Sequence, residues 1–167
     1  MPIIHNYFPA IRDRAISDDA DPAIILPKLV AAVRKYDKLH YLKGLKKFIT
    51  MQDVDQWHSC YDSNNDSITL QAKFFKKSFA DMLRVLMHEV GHRGQYKDPQ
   101  TFETFKKLGL GHVKHFLEMA NAVHRRDFRR KGIENPVDEA FAESYSRFCL
   151  SVDMPSEVEE FWRKRIQ

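Results

Sequence analysis

An α+β fold, with a small mixed or antiparallel sheet near the N-terminus and a mostly helical C-terminal half, follows from three observations. Strand-length runs are confined to residues 45–71, where Asp62-Ser63-Asn64-Asn65-Asp66 places a cluster of turn formers between two of them. Apolar residues recur at helical spacing ahead of that window and again from Ser78 onward. At 167 residues and 43% hydrophobic content, the chain has the size of one domain, spanning 1–167, that can bury a core and hold a rigid site.

Residues 1–20, with Pro2, Pro9 and a polar stretch through Asp18 and Asp19, read as an irregular N-terminal arm. Asp21-Pro22 then offers an N-cap followed by proline in the first turn. Ile25, Leu29, Val30, Val33 and Tyr36 repeat at helical spacing, so a helix packed across the sheet is expected to about Leu39. Leu45–Met51 and Asp55–Tyr61 are short enough for strands, and the alternating Ser67–Gln71 pairs with Trp57–Tyr61 as a hairpin. An exposed edge of that hairpin would align a substrate backbone as an added strand, whereas a covered one would be purely structural.

From Ser78 the periodicity is helical: Phe79, Met82, Leu83, Leu86, Met87 and Val90 are assigned to a core-facing side, Gly91 to close approach of another element, and Gly94 to the helix end. After Asp98-Pro99, two helices are expected over Thr101–Lys131, interrupted at Leu108-Gly109-Leu110-Gly111. The second ends in the basic run Arg125–Lys131 ahead of Gly132, as the helix dipole and a glycine cap favour. Asn135-Pro136 opens a further helix through Leu150, and Val158–Trp162 forms a short closing one.

The formal charge of +4 sets 27 cationic against 23 acidic residues, a patchy field that does not by itself imply a nucleic-acid partner. Lys73, Lys76 and Lys77 with Phe74 and Phe75, and Arg125–Lys131 with Phe128, nevertheless define a second functional class. This is a zinc-stabilised binding protein whose basic patches contact nucleic acid or an acidic partner. Cys60 and Cys149 are too few for a disulfide scaffold and lack metal-site spacing; reduced, buried thiols in a cytoplasmic protein are expected. The first twenty residues carry Asp13, Asp18 and Asp19 and no apolar core of signal-peptide type. Ala23–Val33, interrupted by Pro27 and Lys28, is too short to span a membrane.

The chemistry concentrates at Met87-His88-Glu89-Val90-Gly91-His92, which has the form H-E-x-x-H. On a helix, His88 and His92 lie four residues and about 40° apart, so both imidazoles reach one metal ion. Glu89 sits one residue further round, able to contact a water on that ion without ligating it. The pattern predicts a zinc hydrolase in which Glu89 is general base and then acid, and the cofactor is Zn2+.

A catalytic zinc site needs a third protein ligand, and four answers compete, with His112 and His115 taken together as one. Asp98 stands at metzincin distance from His92, but the glycine of that pattern is displaced, with Gln95 where it should be and Gly94 before it. His112 and His115 have the right chemistry but follow a glycine-bearing break and could simply cap a helix. Glu139 ranks first and Glu143 is the remaining choice: they lie four residues apart on one helix face, and Ala142 is small enough for close packing on the motif helix. One carboxylate can then bind metal while the other orients a ligand histidine. An oxyanion donor could come from Tyr145, Arg147, His112 or His115, and the sequence does not choose among them.

The segments His88–His92 and Asp138–Glu143 together resemble the gluzincin branch of zinc metallopeptidases, and the small size resembles compact minigluzincins and prokaryotic or phage zincin-like proteins. The resemblance covers two short segments. It implies a zincin-like fold, peptide-bond hydrolysis of a protein or peptide substrate, His88, His92 and Glu139 as zinc ligands, Glu89 as base, and Glu143 hydrogen-bonded to a ligand imidazole. Two features depart from the thermolysin-like pattern. The interval between His92 and Glu139 is longer, as if Thr101–Lys131 were inserted, and the family's aspartate is here Glu143.

Overall fold

Asp21 accepts a hydrogen bond from the Ala23 amide (2.9 Å) and Pro22 occupies the first turn, so the first helix starts where capping chemistry favours it. The computed structural model describes residues 3–6, 21–53, 59–120, 125 and 136–166. Helix α1 covers Pro22–Tyr36 and buries Leu26, Leu29, Val30 and Val33. Just past it, the buried Asp37 carboxylate accepts from the amides of Tyr41 (3.1 Å) and Leu42 (2.7 Å) and from the Tyr145 hydroxyl. That knot ties the exit of α1 to a helix more than one hundred residues later, satisfying a charge that burial would otherwise penalise.

Four strands form one mixed sheet: β1 (Ile3–Asn6), β2 (Lys47–Met51), β3 (Ser59–Asp62) and β4 (Ser67–Gln71), in the order β1-β2-β4-β3. β1 and β4 flank β2 in parallel, while β3 pairs antiparallel with β4, Ser59 opposite Leu70 and Asp62 opposite Ser67. The sheet is thus mixed, and residues 3–6 of the expected irregular arm are a strand in parallel register with β2. The rest of that arm, and Trp57 at the start of the expected hairpin strand, lie outside the described residues. Asp62 shapes the β3–β4 turn by accepting from the Asn64 amide (2.9 Å) and the Asn65 side chain (2.5 Å).

Helix α2 (Phe79–Lys97) is capped by Ser78, whose hydroxyl accepts from the Asp81 amide (3.2 Å). Two sequence expectations for it are corrected. Phe79 is exposed, and the helix runs past Gly94 to Lys97. Gly94 is required for a different reason, since a Cβ there would sit 2.4 Å from the Tyr41 ring. Arg93, fully buried on this helix, donates to both oxygens of Asp66 (2.6 and 2.9 Å) and to the Tyr41 and Lys43 carbonyls. It therefore fastens α2 to the turn of the β3–β4 hairpin.

Asp98 and Pro99 begin α3 (Pro99–Lys107), after which a turn leads to α4 (Val113–Met119), α5 (Pro136–Cys149) and α6 (Ser156–Arg163). The expected basic end of the helix after Val113 lies largely outside the described residues. Phe105, Phe141 and Trp162 interlock edge-to-face or tilted at the meeting of α3, α5 and α6, and the Trp162 indole donates to Ser144 (3.0 Å). No helix among the described residues is long and apolar enough to cross a membrane.

Candidate metal centre

Helices α2 and α5 run antiparallel in close contact, and a ladder of matched pairs sets their register. The Ser146 hydroxyl donates to the Arg84 carbonyl (3.0 Å) at one end, and the Gln95 amide group donates to the Asp138 carbonyl (2.8 Å) at the other. Between them Gly91 lies on Ala142 so tightly that a Cβ would fall 2.7 Å from the Ala142 Cα and carbonyl oxygen. Both helices carry their polar residues at a spacing of four, so an antiparallel rung pattern places His88 beside Glu143 and His92 beside Glu139.

The result is a converging cluster. His88 Nε2 is 3.2 Å from Glu139 Oε2, His92 Nε2 is 3.4 Å from Glu139 Oε1, and the two rings meet edge-on at 4.7 Å. One ligand atom from each of His88, His92 and Glu139 lies within 4.8 Å of the other two. Ligands at about 2.0–2.1 Å from a tetrahedral zinc stand roughly 3.3 Å from one another, so the donor types suit that ion, and a set spread over up to 4.8 Å would close somewhat on binding it. Two imidazoles with one carboxylate are also the chemistry of an open zinc site rather than of a four-ligand structural one.

Burial works against charge at these groups, and their partners overcome it. Burial disfavours the His88 imidazolium, but hydrogen bonds to Glu139 and Glu143 raise its pKa well above the usual histidine range. Burial alone would raise Glu139, yet His88 and His92 hold it far below the ordinary carboxylate range. Glu143 is opposed by burial in the same way, and His88, Arg84 and Arg147 bring it down to about 2. When His88 is neutral, its Nδ1–H donates to Glu143 Oε2 (3.1 Å) and its Nε2 lone pair faces Glu139 and His92.

Glu89 is nearly buried beside this cluster, and its Oε1 accepts from the Ser59 hydroxyl on β3 at 2.6 Å. Ser59 was not singled out by the sequence. Its signal is the strand period of two, which puts Ser59 and Tyr61 on one face of β3; that face meets α2, with Tyr61 against Tyr96 at 5.8 Å. Arg84, one turn before His88 and 3.7 Å from Glu143, has no such local signal, and only the pairing of α2 with α5 reveals it.

The other candidates are placed elsewhere. Asp98 caps α3, accepting from the Thr101 amide (3.1 Å), and accepts from the Tyr41 hydroxyl (3.3 Å). His112 caps α4 by accepting from the His115 amide (3.4 Å), and His115 faces Glu157 (3.1 Å), beside a cleft also lined by Phe161 and Lys164. Among the proposed oxyanion donors, the Tyr145 hydroxyl donates to Asp37 and accepts from the Leu39 amide (3.1 Å) inside the core. Arg147 donates to Glu143 (3.2 Å) and to the Asp153 and Met119 carbonyls, so it steadies Glu143 instead. The basic-patch reading also changes: Phe74 and Phe75 are buried in the core and cannot stack on bases, while Phe128 lies outside the described residues. Compared with protein-family models, curated proteins and solved structures, the chain matches none.

Proposed function

We propose that the chain is a zinc-dependent metallopeptidase of gluzincin type on a zincin-like fold, acting on a protein or peptide substrate. The observation that carries this reading is the convergence of His88, His92 and Glu139, with Glu143 on the far nitrogen of His88 and Glu89 alongside. His88, His92 and Glu139 would hold the zinc, which supplies Lewis acidity to acidify a water and polarise a scissile carbonyl. Glu89, with Oε1 engaged by Ser59, uses Oε2 to take a proton from the attacking water and return it to the leaving amine. Glu143 keeps the His88 tautomer fixed and its ring oriented. β3 is one of the two outer strands of the described sheet, and its edge would align an extended substrate backbone. The free thiols Cys60 and Cys149 fit a cytoplasmic setting.

The deciding experiment is Glu89→Gln in the full chain, assayed for zinc stoichiometry and for cleavage of an unstructured protein substrate. Zinc content should be unchanged while hydrolysis falls by about 10²–10⁴-fold, the usual share of a general base. Hydrolysis at the wild-type rate by the variant, or no zinc-dependent hydrolysis by the wild type, would remove the proposal.

A further inference from the structure

We infer that Ser59 is a positioning residue for the base: its hydroxyl anchors one oxygen of Glu89 to the edge strand and so aims the other at the reacting water. The inference rests on the metallopeptidase reading. Its footing is the 2.6 Å contact between Ser59 Oγ and Glu89 Oε1, within the short range of charge-assisted O–H···O⁻ bonds. Glu89 is only 5% exposed, so its carboxylate depends on protein partners where water would otherwise serve.

Three features make Ser59 a suitable anchor. Its backbone is fixed by pairing with Leu70 in the β3–β4 ladder, and that hairpin is fastened to α2 through Asp66 and Arg93. The anchor and the carboxylate it holds are therefore referred to the same rigid frame. Second, a hydroxyl is one donor and also an acceptor. It engages Glu89 Oε1 through a single O–H without placing a second charge beside the carboxylate, as a lysine there would. Third, Ser59 belongs to the strand on which a peptide backbone would add, so the element that seats the substrate also sets the base.

The test compares Ser59→Ala, Ser59→Thr and Ser59→Val in the zinc-loaded full chain with one fluorogenic peptide. Thr and Val are matched in shape and both suit a strand, so they differ at the hydroxyl alone and serve even where Ala folds poorly. The expected result is a kcat lowered roughly tenfold or more in Ala and Val, with KM within about twofold of wild type and Thr close to wild type. Zinc affinity, read by competition with a chromophoric chelator, should be the same in all four proteins, and crystals of metal-free Ser59→Ala should show the Glu89 carboxylate turned away from β3. Full kcat in Ser59→Ala or Ser59→Val beside an inactive Glu89→Gln overturns the role of Ser59 alone. A loss confined to KM, or a Thr variant as slow as Val, overturns it too. A wild-type protein that hydrolyses no peptide overturns the metallopeptidase reading and this inference with it.

Discussion

Two histidine pairs, each with a glutamate against at least one ring, are built differently. His88 and His92 lie within one long helix, their rings edge-on, with both Nε2 atoms directed at the two oxygens of Glu139. His112 and His115 stack nearly parallel at 4.0 Å. The Nδ1 of His112 is taken up by the His115 amide, and Glu157, 70% exposed at its side chain, meets only the second ring. Each pair also has a glycine packed on α5 beside it: Gly91, between His88 and His92, on Ala142, and Gly111, just before His112, on Val137. Residue type and a glycine-mediated approach are therefore insufficient. What sets His88 and His92 apart is that both imidazoles stand on one continuous helix at a spacing matched by the opposing carboxylates, with buried Glu143 at the far nitrogen of His88.

The sharpest way to break the comparison is to remove one histidine from each pair. His92→Ala would take away a proposed zinc ligand, and a share of the about 10–16 kcal/mol that zinc supplies at four-ligand sites corresponds to more than a hundredfold in affinity. His112→Ala should leave zinc affinity unchanged and cost about 1 kcal/mol or less through the lost cap of α4. Chelator competition and thermal melting measure both. Equal zinc loss in the two variants would merge the pairs into one site and end the distinction.

How much of this was legible beforehand follows from where the physics is local. The capped starts at Asp21 and Ser78, the alternation of Ser67–Gln71 and the i, i+4 spacing of His88/His92 and Glu139/Glu143 are properties of short segments, and the sequence carries them. The edge-strand position of β3, and hence Ser59 on Glu89, depends on a sheet order that threads β4 between β2 and β3. Glycine commonly ends a helix, which is the local expectation for Gly94, but the neighbouring Tyr41 ring, distant in sequence, explains it. Tyr145 and Arg147 share a helix with Glu139, which says nothing of which neighbour claims them. Tertiary contacts gave one to Asp37 and the other to Glu143.

A smaller effect comes from filling the two glycine contacts. Alanine at 91 would press on Ala142 backbone, and alanine at 111 on Val137, with Cβ contacts of 2.7 Å in each case. Overpacking of this kind costs about 1–3 kcal/mol, so both variants should melt earlier. Only Gly91→Ala spreads the helices that carry the ligand cluster, and it alone should weaken zinc binding. If Gly111→Ala weakens zinc equally, the register of α2 on α5 is not what shapes the cluster.

The least perturbing comparison is titration of the metal-free protein, in which His88 and His115 should move in opposite directions. An unfolded histidine titrates near about 6.5. Burial opposes the charge on His88, but Glu139 and Glu143 raise its folded pKa above that value. Its stabilising contribution is therefore complete below about 6.5 and is lost as pH rises through the folded pKa. Glu139 and Glu143 are depressed, so their contribution is present above the unfolded carboxyl value of about 4.3 and lost as pH falls through their folded values. The trio is thus best held between the carboxylate range and the raised His88 pKa. His115 behaves inversely. Burial, then the nearby His112 and Lys114, lower its pKa against the pull of Glu118 and Glu157. Its neutral form is favoured in the fold, and stability should fall as pH drops below about 6.5 toward the folded value. Imidazole resonances followed by NMR should give a His88 midpoint above and a His115 midpoint below about 6.5. Zinc should abolish the first titration and spare the second, because ligation requires neutral His88 and expels its proton. A His88 midpoint at or below that of His115 would show that Glu139 and Glu143 do not hold the imidazole as their distances imply.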